Sequence, residues 1–399
     1  TEPFLQFPTK TSIKVVWFTE FMGDGHAVSF GNNLLETVFT INITPTHLRE
    51  DQNSRVGEQT EDGTIYRHPV FREIWRHEAH LTDLKPGKRI SYRVTSIAEN
   101  NECINGRTYT LEPAPLPGKP LKILLTSDHQ LKPMVAANLQ KVRETFKRVD
   151  AVFFAGDLVN IPDRASEWFD DNRGNAFFPC FQGCAKYVME HNGVKSTYKG
   201  GRIIQNAPIF PCIGNHEVMG RFDRGKSLRR EFYDTFPRNI ARNMEGSKSL
   251  EERSFNTNTF EKIFSIPETE TGTKGYYAVT FGDVRLIVLY VTNMWRFNTT
   301  EKGLPGKYAE PKQLLNDMEY WGFGQHIYEP IDEDSIQYKW LVKELESSEY
   351  KEAKYKVVMF HHPPHTLGDN IAPPYTDPIQ LMEKDEQGRI TSVRYEYPK

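Results

Sequence analysis

Four apolar runs in this sequence stop on side chains that can hold a cation or move a proton. LLTSDHQ ends on Asp128, FFAGDLVN on Asp157, FPCIGNHE on Asn215 and His216, and VMFHHPP on His361. A short apolar run reads as a buried strand, and the residues just after it are delivered to the rim of a sheet. Four such ends in one α/β sheet bring their side chains to one edge. Carboxylate and amide oxygens and neutral imidazole are donors that divalent cations accept. A carboxylate with two free oxygens can also bridge two ions, which two-metal hydrolases hold about 3.5–4 Å apart. Gly156 and Gly214 let the backbone turn sharply there, and Pro363 and Pro364 fix the exit from the last strand. Singly, each element has a plainer reading. An Asp after a strand is usually a cap or turn former, Gly-Asn-His a turn, and His361 and His362 satisfied rim histidines. Four strand ends agreeing in one order outweigh those readings.

The elements that must position these residues are set by periodicity. Residues 1–112 read as an all-β sandwich, with β-branched and aromatic runs separated by Gly, Asp and Asn turns. LTDLKPGKRISYRV places Tyr92 near a strand start, where it would tie down the preceding turn as in fibronectin type III-like domains. Residues 113–120 form a Pro-rich linker, and 121–399 a second domain in which strands and helices alternate. LKILLTS, AVFFAG and APIFPCIG read as strands covered on both faces, GYYAVTF and VRLIVLYV as a hairpin-like pair, and YKVVMF as another strand. Helices are expected over 133–148 (Val135, Leu139, Val142, Phe146) and over SIQYKWLVKELES, with Ile336, Trp340, Leu341 and Leu345 as its core face. The long stretches 160–205 and 217–272 are expected to hold short helices, one near 228–236, and to rim a cleft.

Composition limits the alternatives. Fifty basic and 53 acidic residues leave a net charge of −3, which excludes affinity built on a broadly basic face for nucleic acid or membrane. VRLIVLYV is far too short to span a bilayer. Four cysteines are too few for a disulfide scaffold, and Cys180 and Cys184 read as a buried pair of free thiols on one helix face. Asn42-Ile43-Thr44 and Asn298-Thr299-Thr300 fit a glycosylation acceptor pattern, which matters only in an exported eukaryotic chain. The first residue, Thr1, fits a leader that was removed or never included.

G-D-x-x-N at 156–160, G-N-H-E at 214–217 and H-H-P-P at 361–364 resemble the calcineurin-like metallophosphoesterase superfamily. With PFLQFPT and SIKVVW at the start, the architecture is similar to the purple acid phosphatase branch. The resemblance implies a β-sandwich flanked by helices and a dinuclear centre of iron, manganese or zinc. It implies Asp128, Gln130, Asp157, Asn215 and His361 as metal ligands, with Asp157 the bridge. His216 would be the catalytic acid, Asn215, His216 and His362 would face substrate, Glu217 would orient His216 or a neighbouring loop, and His365 would lie on the solvent side. Hydrolysis of a phosphate mono- or diester by a metal-bridging hydroxide is the implied reaction, on a small substrate and in a secreted or periplasmic setting. Two departures stand out. Gln130 occupies the place of the usual histidine, and Asn160 that of the branch's tyrosine, so no purple charge-transfer band is expected. The usual final Gly-His-x-His is absent up to Lys399, as though the chain stopped early. These departures support an alternative, a degenerate non-catalytic fold acting as a ligand-binding or adhesion module. A nuclease is a poorer third reading, with Arg221, Arg224, Lys226, Arg229 and Arg230 taken as a solvated loop.

Overall fold

A computed structural model describes residues 1–40, 42–57, 65–236, 238–242, 249–269, 274–295, 309–318, 321, 326–329, 331–362 and 379–396. Pro363, Pro364, His365 and the triplet at 298–300 lie outside the described residues.

The N-terminal region is all β. Phe4–Gln6, Ile13–Thr19, Trp75–Leu81 and Asn42–Pro45 form one antiparallel sheet. Ile90–Ile97 pairs with Gly25–Phe30, Cys103–Asn105 and Tyr109–Leu111 in a second, which Glu36–Phe39 completes. Along Ile90–Ile97 every second residue is buried, as a strand with one covered face requires. Leu5, Val15, Trp17, Val28, Tyr92 and Leu111 fill the space between the sheets. Tyr92 departs from its expected role. Its hydroxyl donates to the carbonyl of Gln205 at 2.7 Å and so ties the sandwich to the second region, rather than to its own turn.

In the second region Ile123–Thr126, Ala151–Phe154 and Ile209–Pro211 run parallel, joined first by the helix Val135–Phe146. A second sheet pairs Tyr277–Phe281 antiparallel with Val284–Val288, and the latter parallel with Tyr355–Met359. Both sheets share one core, in which Val152, Phe154, Phe210, Leu286, Val288 and Met359 meet. Short helices do occupy the long stretches, at Ala165–Phe169, Phe177–Gln182 and Leu228–Phe232.

Three expectations fail here. Ile123–Thr126 is not covered on both faces: Leu125 is 67 % exposed, and Val358 on Tyr355–Met359 is 46 % exposed. The helix Ile336–Glu346 buries only part of its expected apolar face: Trp340 packs on the shared core with its ring 4.8 Å from Tyr276, but Ile336 is 58 % exposed. It docks also through Gln337, whose buried amide accepts from the backbone N–H of Tyr290 and donates to the carbonyl of Tyr290, both at 2.8 Å. Arg285 and Glu344 add a bidentate ion pair beside it. Finally, Cys184 lies beyond Gly183, which ends the helix in the left-handed conformation, so it is exposed while Cys180 is buried.

The two regions are joined by polar contacts that water does not reach. Arg49 is 2 % exposed; its guanidinium donates to Asp163 at 2.7 Å and forms a fork with both carboxylate oxygens of Glu231. Removing the cation would strand two carboxylates in a dry interior, a change that typically costs about 3–5 kcal/mol. Arg49→Met is therefore expected to lower the urea midpoint strongly, and adding Glu231→Leu to restore much of the loss. An unchanged midpoint for Arg49→Met would contradict this.

Candidate functional site

Beyond the sheet edge the loops after the first two strands run side by side. Asp128 N–H donates to the Gly156 carbonyl at 3.0 Å, and Gln130 N–H to the Leu158 carbonyl at 3.1 Å. The turns are tight enough that Asp128, Gln130, Leu131 and Asp157 all adopt left-handed backbone, with φ of 53°, 42°, 54° and 62°. Each such residue costs about 1–3 kcal/mol and persists only where its surroundings enforce it. Gly156, at φ +85°, leaves no room for a side chain: a Cβ would sit 2.8 Å from both the Gly214 nitrogen and His361 Nδ1. Three strand ends meet at that point.

Asp128, Asp157 and His361 thereby present ligand atoms that all lie within 4.8 Å of one another. His361 Nε2 stands 3.4 Å from Asp157 Oδ1, while its Nδ1 donates to the Ala155 carbonyl at 2.8 Å. That backbone bond fixes the ring so that Nε2 faces the carboxylates, as is usual for a metal-bound imidazole. Burial lowers the His361 pKa, but the hydrogen bond and charge of Asp157 outweigh it and raise the pKa to about 9. For Asp157 burial acts upward on the pKa, and His361, then His216, bring it down below the ordinary value. Two carboxylates and an oriented imidazole fit a divalent cation.

The other expected site residues surround this group. Gln130 donates its Nε2 to Asp157 Oδ2 at 3.0 Å, so it touches the Asp157 carboxylate. Asn215 opens a short 3-10 turn with His216 and Glu217, and its side-chain amide has no hydrogen-bond partner among the described residues. His362 packs edge-on to His361, with ring centroids 4.7 Å apart, and is not in the three-residue group. His129 is buried against Phe154 and Phe181 and bonds Thr126 Oγ1, and desolvation pushes its pKa down to about 3. It is a core residue.

His216 is held from three sides. Its backbone N–H donates to Asp157 Oδ1 at 3.0 Å, its Nδ1 donates to the Asn160 carbonyl at 2.7 Å, and its ring stacks on Phe232 at 5.1 Å. Nε2 makes no hydrogen bond among the described residues. Glu217 touches no part of the His216 ring in these bonds; it acts on the loops. Its Oε2 accepts from the N–H of Asp157 and Gly214, and its Oε1 from that of Leu158, each at 2.8 Å. Burial, and then the charge of Asp157, push its pKa up to about 8. The Asn160 carbonyl, the Phe232 ring and Glu167, which accepts from the N–H of Asn160 and Ile161, were missed by sequence reasoning. The only local signal was the length of the connections that carry them.

Beside His216 opens a cavity of about 610 Å³, lined also by Asn160, Arg229, Tyr233 and, from the sandwich, Gln52 and Arg55. The basic cluster expected as a solvated loop is thus divided. Arg221 is buried in a bidentate pair with Asp234, whereas Arg229 faces this cavity.

Compared with known proteins, residues 121–386 match the calcineurin-like phosphoesterase family. No curated protein matches the chain. Among solved structures, a purple acid phosphatase from yellow lupin (Lupinus luteus) seeds superposes with a TM-score of 0.53 at 15 % identity, over 90 % of this chain and 50 % of the lupin chain. Matches to vertebrate astrotactin-2 (TM-score 0.18, 12 % identity, 36 % of this chain and 25 % of that one) and to a Yersinia enterocolitica exopolygalacturonase (0.17, 15 %, 39 % and 30 %) carry no argument. Among the described residues no helix is long and apolar enough to cross a membrane.

Proposed function

The chain belongs to the calcineurin-like phosphoesterase family, and on that premise we propose that it hydrolyses a phosphate mono- or diester at a centre of two metal ions. One observation carries the reading: Asp128, Asp157 and His361 converge within 4.8 Å, and the same Asp157 carboxylate anchors the backbone of His216. In this reading Asp128, Asp157 and His361 hold the ions, with Gln130 and Asn215 offering amide oxygens beside them. Bound iron, manganese or zinc would screen the phosphate's charge and make water acidic enough to attack near neutral pH. His216, kept in place by Asn160 and Phe232, presents Nε2 to protonate the departing oxygen. Asn215 and His362 flank the phosphoryl position. Glu217 keeps the loops carrying Asp157 and Gly214 in register, so that the ligands do not drift apart. The donation from Gln130 into Asp157 supports the competing reading, a fold that binds without turning over. Resemblance to purple acid phosphatases supports a secreted or periplasmic setting.

Turnover of p-nitrophenyl phosphate and of its bis ester decides between the two. Hydrolysis of at least one ester is expected with manganese, iron or zinc supplied, together with its loss on chelation and its return on adding the ion back. Failure on both esters, in protein shown to hold any of these ions, would remove the enzyme reading.

A further inference from the structure

The cavity beside His216 has a composition that the phosphoryl chemistry does not explain. Its walls include His216 and Asn160 but none of Asp128, Asp157 and His361. It therefore extends from the proton donor's side and away from the cation ligands, where the alcohol portion of an ester must lie if His216 protonates it. A volume of about 610 Å³ falls in the range of small-molecule sites.

Four arginines line it: Arg55, Arg164, Arg173 and Arg229. Two are neutralised by neighbours. Arg164 pairs with Asp51 and Glu167, and Arg173 forms a fork with Asp171. Arg229 differs. Among the described residues it forms no ion pair, and its guanidinium lies over the Tyr233 ring at 5.7 Å, on the short helix that also carries Phe232 against His216. A planar cation supported on an aromatic face suits bidentate recognition of a carboxylate or phosphate.

Part of the lining comes from the N-terminal region and is held by buried hydrogen bonds. Asp51, fully buried, accepts from Leu228 N–H at 2.8 Å and from Asn53 N–H at 3.0 Å, and pairs with Arg164. Asn172 N–H donates to the Arg55 carbonyl at 2.8 Å, which pins the next part of the loop. Gln52 and Arg55 thus line the same cavity as Arg229, on a segment held by bonds that span both regions.

We propose that this cavity receives the alcohol portion of the substrate, and that Arg229 binds an anionic substituent on it, either a carboxylate or a second phosphoryl group. The preferred substrates are then phosphate esters of acidic alcohols, and the N-terminal sandwich is part of the specificity site. This rests on the hydrolase reading above for the direction in which the leaving group departs.

The test compares phenyl phosphate, 4-carboxyphenyl phosphate and 1,4-phenylene bisphosphate on the metal-loaded full chain. A charge-assisted contact predicts kcat/KM higher by about 10-fold or more for at least one charged ester, and which one shows it identifies the group bound. Arg229→Gln is expected to bring that ratio close to one, while Arg230→Gln, a neighbour outside the cavity, keeps it. Equal kcat/KM for all three esters, or a preference that survives Arg229→Gln, would overturn the proposal and leave the hydrolase reading standing. Calorimetry with 4-hydroxybenzoate, phenol and phenyl phosphate decides the same question even if no ester turns over. A charged ligand must bind at least about 10-fold more tightly than phenol, and must lose that advantage in Arg229→Gln. Equal affinities would refute it.

Discussion

Asp157→Asn is expected to cripple the proposed hydrolysis while leaving the fold intact. The substitution keeps an oxygen to accept from His216 N–H and keeps the side chain's size, but removes the charge that His361 faces across 3.4 Å. Gln130, which donates to the second oxygen at 3.0 Å, must turn its amide to meet an NH₂. Losing a supporting contact at a metal site costs about 10–100-fold in affinity, and loss of a shared ligand should exceed that. The expected result is a fall of at least about 10³-fold in kcat with a circular dichroism spectrum unchanged, and weakened binding of manganese or zinc in competition with a chelating dye. Wild-type metal affinity in this variant would show that the carboxylate is not shared. A pH dependence accompanies it. With the His361 pKa raised to about 9, the ring is protonated at neutral pH in the metal-free protein, and a cation must expel that proton. Apparent affinity should rise with pH and level off near 9, with proton release visible on adding the ion in weak buffer.

His216→Gln separates proton donation from binding. A general acid contributes about 10²–10⁴-fold, and most where the departing oxide is basic. The variant should lose that range on phenyl phosphate and far less on p-nitrophenyl phosphate, whose leaving group needs little help. KM should change little, because the side chain is assigned to the departing oxygen. An equal loss on both esters would assign His216 to binding or structure instead. Asn160 sharpens this result. Its carbonyl accepts from Nδ1 at 2.7 Å, so the ring already spends one nitrogen on its own orientation.

The convergence of Asp128, Asp157 and His361 was legible because strands announce themselves as apolar runs, and the residues next after such a run are confined to the sheet's edge. The hairpin at 277–288 and the crossover helix at 135–146 were legible for the same local reason. What could not be read in advance depended on partners distant in sequence. Tyr92 finds Gln205, Glu217 finds the N–H groups of Asp157 and Leu158, and Asp51 finds Leu228. No periodicity encodes a hydrogen bond between such residues. Nor does an apolar run reveal which of its faces is covered, so Leu125 and Ile336 read as buried. Gln337 shows the converse, a polar residue in a helix whose partner is the backbone of Tyr290.

Arg49 also sets an order of events during biosynthesis. Its carboxylate partner Glu231 lies 182 positions later in the chain, and Tyr92 waits 113 positions for the carbonyl of Gln205. At ribosomal speeds the guanidinium waits roughly 6–23 s for Asp163, 114 positions on, and roughly 10–40 s for Glu231. The nascent sandwich can pair its strands in that interval but cannot dehydrate this face until the later sequence emerges.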